Sequence, residues 1–120
     1  MTTILVVDDE YLIADILSFA LEDEGFMVVT ASNGQKGLEV LDRERPDLII
    51  TDFMMPVMDG QEFATAVRAL PSCKDLPIIL MSGAQAHIGM QRSDLFDAVL
   101  PKPFRMDAVL AEVRKLLSLE

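Results

Sequence analysis

Asp8, Asp9 and Glu10 stand directly after an apolar run near the start of the chain, Asp52 after a third such run, Ser82 after a fourth and Lys102 close behind a fifth. If those runs are strands of one sheet, three or four carboxylates, a hydroxyl and an ammonium converge on a single edge. Taken alone, an Asp at a strand end is more often a turn former or helix cap than a reactive group. The joint pattern points elsewhere, because caps do not require the acids to sit on strands one and three while the nearby cation comes from strand five. Two carboxylates about 5 Å apart at an effective dielectric near 20 repel by roughly 3 kcal/mol, a large share of a domain stability of about 5 to 15 kcal/mol. The natural relief is a hard divalent cation with oxygen ligands, and a small site with room for water suits Mg²⁺ better than Ca²⁺. Zinc is disfavoured, with only His87 and Cys73 on offer and no ligand spacing. A Mg²⁺ beside a carboxylate, a Lys and a hydroxyl is the equipment of phosphoryl transfer: charge neutralisation on the equatorial oxygens and an oxygen nucleophile in line.

Stepping along the chain, the elements that must position these groups alternate regularly. Five β-rich apolar runs, at 4–7, 26–31, 48–51, 78–81 and 98–100, read as buried strands. After the first, Ile13, Ile16, Leu17 and Ala20 recur at helical spacing, and Gly25 sits where a left-handed cap is expected. A shorter helix at 33–43 is carried by Leu38 and Leu41. After the third strand, Phe63, Ala66, Val67 and Leu70 repeat the spacing, with Asp59 as N-cap. Met106, Leu110, Val113 and Leu117 form a last stripe. The segment 84–96, with Gly89 and an irregular apolar pattern, is the weakest helical stretch and is expected to be mobile. Alternating βα units imply a parallel sheet with helices on both faces, one α/β doubly wound domain over 1–120, whose functional site lies beyond the carboxyl ends of the strands.

Composition narrows the function. Ten basic residues against twenty acidic give a net charge of −10, while 51% of the chain is apolar. The apolar fraction rules out a disordered acidic tail, and the negative charge argues against direct contact with nucleic acid or an anionic membrane. Cys73 has no partner for an internal disulfide. With no leader and no apolar stretch of about 18 residues, the expected location is the cytoplasm.

Four motifs carry a resemblance. Leu5-Val6-Val7-Asp8-Asp9-Glu10, Asp52-Phe53-Met54-Met55-Pro56-Val57-Met58-Asp59-Gly60, Met81-Ser82-Gly83-Ala84 and Pro101-Lys102-Pro103-Phe104 occur in order, with 43 residues from Asp9 to Asp52, 30 on to Ser82 and 20 on to Lys102. Over its whole length the chain resembles a response regulator receiver domain of two-component signalling. The resemblance implies a flavodoxin-like (βα)5 fold with strand order 2-1-3-4-5. It implies that Asp52 is the phosphoacceptor for a sensor histidine kinase or histidine phosphotransfer protein, and that Asp8, Asp9, Asp52 and the backbone carbonyl of Met54 hold Mg²⁺. Lys102 would pair with a phosphoryl oxygen, Ser82 would move to hydrogen-bond the phosphoryl group, and the Lys102-Pro103 bond would be cis. Glu10 is expected to start the first helix rather than join the metal. The output is altered binding of a downstream protein through the last two helices and the fifth strand, by a monomer or phosphorylation-dependent dimer, without enzymatic turnover.

The chain departs from the family at one point. Val99 stands where an aromatic switch residue is common, three before Lys102, so a rotating ring there cannot report phosphorylation; Phe96 is out of register. Met54 and Ala84, two residues after Asp52 and Ser82, offer no polar group to position water, from which slow self-hydrolysis is expected. His87 reads as structural or solvated, the eight Met as packing and loop residues, and Arg92, Arg105, Arg114 and Lys115 as solvated helix faces or contacts for an acidic partner. Three rival readings fare worse. A haloacid-dehalogenase-like phosphatase needs an acid where Met54 stands. A flavodoxin-like nucleotide binder would meet repulsion from Asp8, Asp9 and Glu10. A phosphorylation-independent receiver-like adaptor stays as the alternative: the intact Asp, Ser and Lys set argues against it, and Val99 argues slightly for it.

Overall fold

In the computed structural model, which describes residues 2–83 and 90–118, five parallel strands form one sheet of order β2-β1-β3-β4-β5. They are β1 (Thr3–Val7), β2 (Met27–Ala31), β3 (Leu48–Asp52), β4 (Ile78–Ser82) and β5 (Ala98–Pro101). Helices α1 (Tyr11–Asp23), α2 (Gly34–Glu44), α3 (Gly60–Arg68) and α4 (Met106–Leu116) connect and follow them, with a 3₁₀ turn at Pro71–Cys73. This is the doubly wound arrangement that the alternating pattern predicts, with the flavodoxin-like strand order that the resemblance implies. Residues 84–89, which include Ala84, His87 and Gly89 and form the first part of the weak segment 84–96, lie outside the described residues. Of that segment's end, Met90 is exposed and Leu95 and Phe96 are buried.

The strand period of two sorts the core into two layers. Leu5, Val7, Ile49, Ile78 and Leu80 point to the face covered by α2 and α3, where they meet Leu41, Phe63 and Val67. Ile4, Val6, Leu48, Ile50, Ile79 and Met81 point to the opposite face, against Leu17 and Leu21 of α1 and Val109 and Val113 of α4. β3 and β4 are buried along their whole length, which is why their sequences show no polar alternation, whereas the edge strands β2 and β5 are half-exposed.

Helix ends follow local chemistry. Asn33 caps α2 through its side chain on the Lys36 amide at 2.9 Å. Asp59 and Glu62 form a reciprocal capping box on α3, at 2.8 and 3.0 Å. Gly25 takes φ +94 after α1, the left-handed position assigned to it. At the end of α2 the same backbone region is occupied by Arg45, φ 48 and ψ 64, at a cost of about 1 kcal/mol relative to glycine. The expected α1 stripe needs correction. Ala14, Leu17 and Leu21 are buried, while Ile16 is 56% exposed alongside Tyr11, Leu12 and Phe19. The helix is apolar on nearly every side, so spacing alone does not say which face is covered. Likewise Leu70, placed on the α3 stripe, lies beyond the helix and is 41% exposed.

Gly60 sets how closely α3 approaches the end of β3. A Cβ there would stand 2.5 Å from the carbonyl oxygen of Asp52 and 2.9 Å from the Phe53 Cα, and the Gly60 amide donates to the Phe53 carbonyl at 2.8 Å. Both obstacles are backbone, so neither can rotate away. Gly60→Ala is expected to lower stability by about 2 kcal/mol, read as a lower urea midpoint with an unchanged slope. A stability equal to wild type would show that the turn has room.

Candidate functional site

The carboxyl ends of β1, β3 and β4 bring Asp8, Asp52 and Ser82 together. Because β1 pairs with β3 through Val7 and Thr51, the residues that follow leave the sheet side by side. The Asp8 amide stays tied to Ala31 at 3.1 Å and the Phe53 amide to Met81 at 3.1 Å, so the sheet's hydrogen bonding extends to the acids themselves. Asp8, Asp52 and Ser82 are 2%, 3% and 1% exposed, a depth at which ionised groups are costly without partners. Lys102 arrives from just past β5, its amide held by the Ser82 carbonyl at 2.7 Å. Its ammonium meets Asp52 Oδ1 at 3.0 Å. The Lys102-Pro103 bond is cis, in agreement with the expectation.

Each carboxylate is partly satisfied. Asp52 Oδ1 also accepts from the Phe53 amide at 2.9 Å, and Asp8 Oδ1 from the Glu10 amide at 2.9 Å. Among the described residues, Asp8 Oδ2 and Ser82 Oγ have no hydrogen-bond partner, although buried polar atoms are nearly always paired. Burial pushes the Asp8 carboxyl up to about 6, opposed by the Glu10 amide and Lys102 and assisted by the charges of Asp52 and Asp9. Burial also raises Asp52, although the hydrogen bond and charge of Lys102 and the Phe53 amide pull the other way. For Lys102, burial acts downward, but the bond to Asp52 and the charges of Asp52, Asp8 and Glu10 outweigh it and hold the ammonium above its ordinary value. One ammonium therefore faces several acids.

The three carboxylates that converge most closely are Asp8, Glu10 and Asp52, each with an oxygen within 4.8 Å of the others. The expected set contained Asp9 in the place of Glu10. Asp9 is exposed, yet it lies near enough for its charge to reach both buried acids. Glu10 does begin α1, as its N-cap residue, but its side chain makes no cap bond and turns its carboxylate toward Asp8. The expected helix start holds for its backbone, while its carboxylate lies with those of Asp8 and Asp52. The Met54 side chain is 61% exposed. An all-oxygen donor set with an unpartnered buried carboxylate oxygen is what a hard cation binds.

Two positions that surround the site escaped the sequence reading. Gly60 permits the close turn beneath Asp52, and Thr51, fully buried, donates its hydroxyl to the Asp52 carbonyl at 3.0 Å. The motif Asp59-Gly60 held the first signal, but only as a helix start. Phe96 packs in the core layer with Leu95, and Val99 lies against it, partly buried. The candidate basic surface is largely neutralised by the chain itself: Arg92 pairs with Asp94, Arg105 with Asp107 and Arg114 with Glu24.

Known proteins place this geometry. The family model for the response regulator receiver domain matches residues 4–114. Response regulator MprA of Mycobacterium leprae is 36% identical over 117 residues, 95% of this chain and 50% of MprA. An uncharacterized 14.6 kDa protein of Leptolyngbya boryana is 47% identical over 79 residues, 66% of this chain and 60% of that protein. The chain thus spans between about half and three fifths of the length of these relatives. Among solved structures, the chemotaxis protein CheY4 of Vibrio cholerae has a TM-score of 0.90 at 33% identity, with 97% of this chain and 98% of that one covered. TrrA of Thermotoga maritima, a response regulator solved in complex with Mg²⁺-BeF, has a TM-score of 0.86 at 37% identity, with 97% and 99% covered. Fold, strand-end residues and family match agree, and the chain belongs to the response regulator receiver domain family.

Proposed function

We propose that Asp52 is a phosphoacceptor, taking a phosphoryl group from a phosphohistidine of a sensor histidine kinase or histidine phosphotransfer protein. The observation that carries the reading is the buried Asp52 carboxylate, held by Lys102 at 3.0 Å beside a second buried acid and an unpartnered hydroxyl. An Asp52 oxygen attacks phosphorus as the phosphorus–nitrogen bond breaks. The electron pair returns to the imidazole, which takes up a proton. Lys102, already on Asp52, pairs with the charge that builds on the phosphoryl oxygens, and the Phe53 amide orients the carboxylate.

Mg²⁺ fits the residues present and supplies charge neutralisation on the phosphoryl oxygens. Asp8, Asp9, Asp52 and the backbone carbonyl of Met54 would hold it, with Glu10 at hand. TrrA, which binds Mg²⁺-BeF, lends support by similarity. Ser82 Oγ gains a partner once an oxygen-rich group sits on Asp52, and that new bond biases the chain that follows β4 toward a second arrangement. The output is altered binding of a downstream protein through β5, α4 and the preceding segment. Val99 carries no ring, so an aromatic side chain at that position does not report the change.

Acetyl phosphate with Mg²⁺ is expected to add one phosphoryl group to the wild-type chain by mass, and none to Asp52→Asn. Lys102→Ala should slow the addition about 10²-fold. Loss of the label should be slow, and faster in Met54→Asn. Label on Asp52→Asn would refute the assignment.

The acid cluster also predicts a pH dependence. Asp8 holds its proton more tightly in the folded chain, with a pKa near 6 against an ordinary 3.8. Its protonated form therefore favours folding fully below about pH 4, and the benefit fades as pH rises to 6 and is gone above it. In chelator at pH 7.5, Asp8→Asn should be more stable than wild type by about 1 to 2 kcal/mol, and this gain should vanish toward pH 4. Saturating Mg²⁺ should reverse the order at pH 7.5. A gain that does not change with pH would show that ionisation of Asp8 is not its source.

A further inference from the structure

A cavity of about 470 Å³ opens between the end of α2, α3 and the Pro71–Cys73 turn, and it shares no residue with the carboxylate site. Leu38, Leu41, Leu70 and Leu76 give it an apolar wall. Leu70 is 41% exposed there, an apolar surface that the chain does not cover for itself. The volume is in the range of small-molecule sites, which combine apolar walls with a few convergent polar groups.

Two opposite charges stand on the same wall. Asp42, on the last turn of α2, and Arg45, its C-cap residue, both line the cavity, three residues apart and therefore neighbours on the helix surface. Among the described residues neither makes an ion pair, with each other or with anything else. Arg45 occupies the left-handed backbone region, φ 48 and ψ 64, where a helix end ordinarily carries Gly or Asn. Its amide bonds to the Leu41 carbonyl as any residue's would. The backbone gains nothing from an arginine here, and Arg45, exposed like Asp42, lines the cavity.

We propose that this cavity binds a small apolar zwitterion, the chemistry of a free hydrophobic α-amino acid. The carboxylate would pair with the Arg45 guanidinium, whose planar fork suits it, and the ammonium with Asp42. The hydrocarbon side chain would lie against the four leucines. A simple acid would bring its charge up to Asp42 uncompensated, and a simple amine would do the same at Arg45. A ligand that carries both charged groups on one carbon can meet the two residues together.

The test is an amide NMR titration of the whole chain with L-phenylalanine and L-leucine, set against phenylpropionate and phenethylamine as single-charge probes. The expected result is saturable shifts at the end of α2 and at the Pro71–Cys73 turn with both amino acids, and at least tenfold weaker binding of each single-charge probe. Arg45→Gly should lose the binding while melting no lower than wild type, because glycine suits φ 48. Ala66→Phe, which fills the cavity from α3, should lose it with Arg45 intact. The proposal is overturned by absent or non-saturating shifts with both amino acids, by equal binding of phenylpropionate, or by undiminished binding to Arg45→Gly.

Discussion

Two carboxylates buried side by side at the ends of adjacent parallel strands are the constraint around which this domain is arranged. Asp8 and Asp52 leave β1 and β3 in register, almost without solvent, and among the described residues the Lys102 ammonium is the one cation that pairs with either of them. The amides of Glu10 and Phe53 soften the cost, but the upward displacement of both acids shows that they do not cancel it. Stability is held in reserve at this edge, to be recovered when positive charge enters or when a charged group is redistributed over more donors. That makes the site responsive.

The rest of the fold supplies rigidity to that edge. β1 and β3 are both interior strands, their side chains alternating into two apolar layers with helices on both faces, so the acids cannot retreat from each other by strand movement. Gly60 lets α3 begin directly under Asp52, and the capping box at Asp59 and Glu62 holds that start in place. On the far side, the Arg68 guanidinium bonds to the carbonyls of Cys73, Lys74, Leu76 and Leu95 and to Asp97, whose carboxylate also takes the Ile78 amide. One side chain thus ties the connection before β4 to the entry of β5, the strand that delivers Lys102.

Strands and site residues were legible in the amino-acid sequence because fully buried parallel strands leave unbroken apolar runs, and the polar residue after each run stands out. The N-caps at Asn33 and Asp59 were legible for a similar reason, being local. What escaped notice depends on neighbours distant in sequence. Ile16 and Leu17 are equally apolar, and only the packed sheet decides that one is exposed and the other buried. Glu10 fits a helix start by position, while the reach of its carboxylate to Asp52 depends on how β1 and β3 align. The role of Arg68 required knowing which carbonyls converge around it.

Asp8 and Asp52 repel one another in the folded chain, and a double-mutant cycle in chelator at pH 7.5 measures that repulsion directly. Asp8→Asn is predicted to stabilise the chain when Asp52 is present, and to stabilise it by about 1 kcal/mol less in the Asp52→Asn background. The same effect of Asp8→Asn in both backgrounds would contradict the account.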